Sequence, residues 1–180
     1  MITITEALAE IKTVQKRIDK KTEFIMNFLY RQDGIKDPLD RSGGSIKAIE
    51  QERQAIGDLH KRMMTLRQGI NAANDATTVT INGKVMSISE WLTWRRDVAP
   101  SQQNFLINLR ARLNQMRADA KKTGVAIVTA SATTGAERPT DFIVNIDEEL
   151  LAKETEDLEE ILGQLDGQLS LKNATIAIIG

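Results

Sequence analysis

Isoleucine recurs at every seventh position in the first stretch of the chain, at Ile4, Ile11, Ile18 and Ile25. Ala7, Val14, Lys21 and Phe28 stand three places after each. A row that steps alternately by three and four keeps one seam of an α-helix apolar, and that seam must be covered by a second helix. Thr3 and Glu6 form the capping-box pattern at its start. The row predicts a helix from there to about Gln32, roughly 40 Å long at 1.5 Å per residue. A helix of that length requires a packed partner.

The partner follows directly. Asp33-Gly34 ends the first helix, and Asp37-Pro38 with Ser42-Gly43-Gly44-Ser45 reads as a loop, with Ser45 as the next N-cap. A second row runs through Ile49, Ile56, Met63 and Ile70, with Glu52, Leu59, Leu66 and Ala73 three places on. Two heptad helices joined by one loop fold back as an antiparallel αα-hairpin.

Residues 69 to 98 change period. Helical patterning ends near Asn71 and Asn74, and Thr78-Val79-Thr80-Ile81 alternates as a strand does. Asn82-Gly83 is the pair that a two-residue hairpin turn favours, because both positions need φ > 0. The return strand runs from Lys84 to about Ser87. Ser87 and Glu90 are a second capping box, opening a helix whose first turns carry Trp91 and Trp94, both tryptophans of the protein. A lone two-strand ribbon is marginal in water, so the tryptophans are expected to support it.

The third helix is interrupted at Ala99-Pro100-Ser101, where a kink or brief break is expected. It resumes with the row Phe105, Leu106, Leu109, Leu113, Met116 and Ala120, and closes at Lys121-Lys122-Thr123-Gly124. Val125–Thr129 and Phe142–Ile146 read as strands, separated by the small polar run 131–140. Asp147 caps a last helix bearing Leu150, Leu151, Leu158, Ile161, Leu162, Leu165 and Leu169, with Gly163 and Gly167 four apart for close helix approach. The tail Asn173-Ala174-Thr175-Ile176-Ala177-Ile178-Ile179-Gly180 is apolar and β-prone. Left unpaired it would be an aggregation hazard, so it is expected to pair with a strand of its own chain or of a neighbour.

The reading is therefore a mainly α protein of long antiparallel helical hairpins, coiled-coil-like, with four main helices, a small β-hairpin and short β elements. The expected organisation is an αα-hairpin over 1–75, the β-hairpin over 76–88 and C-terminal helices over 89–180, forming one elongated domain. Aromatic residues at 4% and charged residues at 27% fit long helices better than a compact β or α/β domain.

Composition also removes function classes. Without cysteine the chain has no disulfide, thiolate zinc site or cysteine nucleophile, and His60 alone cannot build a histidine metal site. A net charge of −1 supplies no global field towards nucleic acid or anionic lipid. No run approaches the roughly 20 apolar residues of a membrane-spanning helix. Met1-Ile2-Thr3-Ile4 lacks the basic lead of a signal peptide, which predicts a cytoplasmic or virion location. No phosphate loop, dinucleotide fingerprint or nucleophile elbow is present.

Three short motifs give a resemblance: Ile70-Asn71-Ala72-Ala73-Asn74, Glu90 followed by Arg95-Arg96-Asp97, and Leu165-Asp166 followed by Asn173-Ala174-Thr175. With the strand-like Phe142–Asp147 before the last helix, they resemble the septicolysin-like family of small bacterial and phage-associated helical-hairpin proteins. The chain departs from that pattern in its loop around 33–44, and in Ala174 where the family tends to carry tryptophan. The resemblance implies a component of phage structural-gene clusters. The family label implies a membrane-active cytolysin as the alternative.

The polar candidates each have two readings. Arg95-Arg96-Asp97 is either a phosphate or carboxylate clamp or a solvated helix face, and neighbouring residues on a helix do not share a face. Asn71, Asn74 and Asn173 are either metal ligands with Asp75 or caps for free backbone groups. Trp91 and Trp94 either stack a base or cover the β-hairpin. Acidic residues between Glu148 and Glu160, and Lys16, Arg17, Lys20 and Lys21, read as a charged contact between subunits or as solvated faces.

The expectation is a non-enzymatic structural or assembly protein that self-oligomerises, plausible as a virion or prophage component, with other virion proteins as further partners. It carries no catalytic, cofactor or metal site and takes no small-molecule substrate; membrane and nucleic acid are not expected partners. Its interaction residues are Trp91, Trp94, Arg95, Arg96, Asp97, Asn71, Asn74, Asn173, Thr175, Ile176 and Ile178. A nucleic-acid-binding accessory using Arg95, Arg96 and the tryptophans is a further alternative.

Overall fold

The computed structural model describes residues 1–129 and 142–178. The element order is β1 (Ile2–Thr3), α1 (Ile4–Phe28), α2 (Ser45–Ala76), β2 (Thr78–Ile81), β3 (Lys84–Ser87), α3 (Ile88–Thr93), a π-helical segment (Trp94–Val98), α4 (Ala99–Thr123), β4 (Ile127–Thr129), β5 (Phe142–Val144), α5 (Glu148–Thr175) and β6 (Ala177–Ile178). The mainly helical reading holds: four main helices, counting α3 through α4 as one, carry most of the chain. The small polar run 131–140, Ile179 and Gly180 lie outside the described residues.

Two compact units result, Met1–Thr78 with Leu169–Gly180, and Val79–Gln168. In the first, α1 and α2 form the antiparallel hairpin that the heptads predict. Glu10 pairs with Arg62 and Lys21 with Glu52. Each pair of residue numbers sums to nearly the same value, as an antiparallel register requires. Ile4, Ala7, Ile11, Leu66 and Ile70 are buried together, each apolar side chain contributing about 1.5–3 kcal/mol of burial before entropy. The one polar break in the first row, Lys21, is satisfied across the seam at 2.6 Å by Glu52.

Helix α1 ends at Phe28 rather than near Gln32. Leu29, Tyr30 and Ile35 are exposed, so the row has nothing to bury against at this end and the chain crosses to α2 instead. Ser45 is the first residue of α2, not its N-cap, which is Gly44. The cap comes from further off. One Asp37 carboxylate oxygen accepts from the Ser45 amide at 2.8 Å and the other from the Ser45 hydroxyl at 2.5 Å and the Leu39 amide at 2.9 Å. Gly44 sits at φ 89°, a left-handed conformation that glycine adopts without strain and that sets the turn for this contact.

The apolar tail pairs within its own chain. Ile2 and Thr3 of β1 lie opposite Ile178 and Ala177 of β6, antiparallel, and the Ile4 amide donates to the Ile176 carbonyl. Ile178 is buried in the α1–α2 core. The same Thr3 that pairs here also caps α1.

In the second unit Asn82 (φ 47°) and Gly83 (φ 74°) make the expected turn between β2 and β3. Val79 and Ile81 are buried, while Val85 is 65% exposed. On the return strand it is Met86 and the following Ile88 that turn inward. At Pro100, where a kink or brief break is expected, the helix continues through a change of pitch. The Ala99 amide donates to the Trp94 carbonyl, five residues back. Pro100 has no amide hydrogen and its ring crowds the preceding turn, and the wider π turn accommodates both without ending the helix.

Helix α4 closes at Gly124 in the left-handed conformation, φ 69°. β4 and β5 pair in parallel, Ile127 opposite Phe142 and Thr129 opposite Val144. Asp147 caps the start of α5 by accepting from the Glu149 and Leu150 amides at 2.9 and 3.2 Å. Ala99 and Leu106 of α4 bury against Leu151 and Leu158 of α5. Arg117 pairs with Glu148, again an antiparallel register. Gly163 and Gly167 are exposed, and a Cβ on either would meet open space. Among the described residues they mediate no close helix approach, because the buried row of α5 is Leu151, Leu158, Ile161 and Leu165.

Candidate interaction surface

The two tryptophans divide their work. Trp91 is 1% exposed, and its indole N–H donates to the Val79 carbonyl of β2 at 3.2 Å. It supports the ribbon and offers no face for stacking a base. Trp94, one turn on, is half-buried and meets Trp91 edge to face, ring centroids 5.5 Å apart and planes at 88°. Its other side borders a groove.

Arg95, Arg96 and Asp97 do not form a clamp. Arg96 donates to both carboxylate oxygens of Asp97 at 2.8 Å, a bidentate pair between neighbours. The pair holds the Asp97 carboxyl below its usual range and raises the Arg96 guanidinium above its own. Arg95 turns the other way, to Asp166 of α5 at 2.6 Å. Two of the resemblance motifs thus meet through an ion pair, but both guanidinium groups are already engaged.

The asparagines also separate. Asn71 and Asp75 are exposed, one turn apart on one side of α2, while Asn74 faces the core and is 8% exposed. Its side-chain oxygen has no hydrogen-bond partner among the described residues. Asn173 is half-buried near the end of α5, and the Thr175 hydroxyl donates back to the Leu171 carbonyl at 2.9 Å. Ile176 and Ile178 serve the intrachain β1–β6 contact. His60 is exposed on α2. Among the described residues no group of three His, Asp or Glu side chains is placed to hold a metal ion, and no helix is long and apolar enough to cross a membrane.

What the sequence reading missed lies beside Trp94. Phe105, placed in the apolar row of the third helix, is 61% exposed, as is Ile107. They flank Leu106, the residue that fills the α4–α5 seam, so each stands on an opposite shoulder of it. On the Phe105 side a groove of about 340 Å³ is lined by Trp94, Phe105, Gln102, Lys84, Glu154 and Asp157, with Leu106, Leu158 and Ile161 at its base. A smaller hollow of about 190 Å³ lies on the Ile107 side. The legible signal was the phenylalanine next to a leucine: adjacent helix positions cannot both enter one seam.

No protein-family model matches the chain, and no curated protein or solved structure is matched by it.

Proposed function

We propose that the chain is a non-enzymatic structural or assembly protein that associates with further copies of itself, as a component of a phage or prophage particle. The observation that carries this reading is the incompletely covered α4–α5 pair. Its seam buries Ala99, Leu106, Leu151 and Leu158, while Phe105 and Ile107 stand 61% exposed on its two shoulders. Aromatic and branched apolar side chains beside an open groove are the usual make-up of an interface core. The C-terminal strand is already paired with β1 of its own chain, so the support rests on these shoulders and not on the tail. The particle itself rests on the motif resemblance.

The test is light scattering behind size exclusion, run over a range of concentrations. The expected result is a discrete oligomer that Phe105→Asp and Ile107→Asp dissociate while the far-UV circular dichroism is retained. A strict monomer at every concentration refutes the reading.

A further inference from the structure

Opposite charge runs lie on α1 and α5. On α1, Lys12, Lys16 and Lys20 recur every fourth residue with Arg17 beside them, and all four are exposed. None makes an ion pair among the described residues. On α5, Glu149, Glu154, Glu156, Asp157, Glu159 and Glu160 are likewise without ion pairs among the described residues, whereas Glu148 is held by Arg117. Like charges spaced four apart work against their own helix. A surface of the other sign would relieve each run.

We propose that the groove between α4 and α5 receives the basic face of α1 from a second copy of this chain. This rests on the assembly reading and names its contact. Lysine and arginine have apolar stems and cationic heads. Trp94 and Phe105 line the groove with aromatic rings for the stems, and a nearby cation is also attracted to the ring faces. Glu154 and Asp157 of α5, which line the groove, offer acceptors to the heads. Lys16 and Lys20 are four apart, ~6 Å along the axis of α1, and Glu154 and Asp157 are three apart, ~4.5 Å along that of α5, an offset that flexible lysine stems bridge. The two surfaces differ and each copy carries one of each. The contacts therefore close into a symmetric dimer or ring, or run on as a filament.

Charge reversal tests this on the full chain. Lys16→Glu with Lys20→Glu makes one variant, and Glu154→Lys with Asp157→Lys the other. Glu154→Lys alone, at an exposed residue, replaces the second if the double change misfolds. Wild-type association is expected to weaken as salt rises. Each variant alone is expected to be monomeric, and an equimolar mixture is expected to associate again, as an even-membered or open assembly in which the two variants alternate, since every contact between unlike variants is between opposite charges. Variants that associate as the wild type does, an association indifferent to salt, or a mixture that stays monomeric overturn this contact but leave self-association standing. A wild type that is monomeric throughout overturns both.

Discussion

Trp91 gives the sharpest test of how the second unit is held together. At 1% exposure it occupies the space under β2, and its N–H satisfies the Val79 carbonyl at 3.2 Å. Trp91→Ala removes a buried aromatic and leaves a cavity, a change that costs about 3–5 kcal/mol. Trp91→Phe keeps most of the ring but removes the donor, leaving a carbonyl short of a partner at about 1–3 kcal/mol. Against a whole-domain stability of about 5–15 kcal/mol these are large losses. With a urea slope of about 2 kcal/mol per molar, Trp91→Ala moves the midpoint down by about 2 M. Both tryptophans belong to the Val79–Gln168 unit, so fluorescence of the remaining Trp94 follows that unit through unfolding. Val85→Ala, on a side chain 65% exposed in the same ribbon, serves as control and is expected to stay within about 0.5 kcal/mol. If Trp91→Ala shifts the midpoint no further than Val85→Ala, the indole does not carry the ribbon and the packing argument fails.

Asp37 makes the α1–α2 hairpin sensitive to acid: donation from the Ser45 hydroxyl and amide, then from the Leu39 amide, lowers its carboxyl to about 2. The unfolded chain takes up that proton near about pH 3.9, so the stabilisation is complete above that pH and is lost as pH falls through 2. The wild type is expected to melt higher than Asp37→Asn at neutral pH, with the gap closing below pH 4; a gap unchanged down to pH 2 refutes the cap. Lys21 and Glu52 are each about 30% exposed in their side chains, so either single change to an apolar residue should destabilise, whereas Lys21→Met with Glu52→Leu should be neutral or stabilising. Thermal unfolding of all four species gives the coupling, and a double variant as weak as the sum of its singles sinks that expectation. Gly163→Ala and Gly167→Ala, with open space at both positions, should each raise stability by about 0.5–1 kcal/mol. A loss at either would mean that the glycine is in contact with something, and a loss only at oligomer-forming concentrations would place it in an interface.

The heptad rows, the Asn82-Gly83 turn and both capping boxes were legible because each is a local rule. A side chain three or four places away, or a φ value that only certain residues adopt, is written in the sequence itself. Asp37 was not legible as a cap, because it lies eight positions before Ser45 and reaches across the loop between them. Arg95 reads as half of an anion clamp until α5 places Asp166 against it. The adjacency of Phe105 and Leu106 marks one of the two as outward-facing, and the packing of Leu106 against α5 decides that it is Phe105.

The sequence by itself determined the helices, their caps, the ribbon and the antiparallel α1–α2 seam. In each case the period of the apolar residues leaves one face that must be covered. Only the tertiary structure decided where the ends of the chain go. Nothing local in Ile176 or Ile178 distinguishes pairing with a neighbour from pairing with Ile2 and Thr3, since the ladder of backbone hydrogen bonds is the same in both. It also decided which apolar residues remain over: a periodic row tells how many side chains seek cover, but the width of the facing helix sets how many receive it.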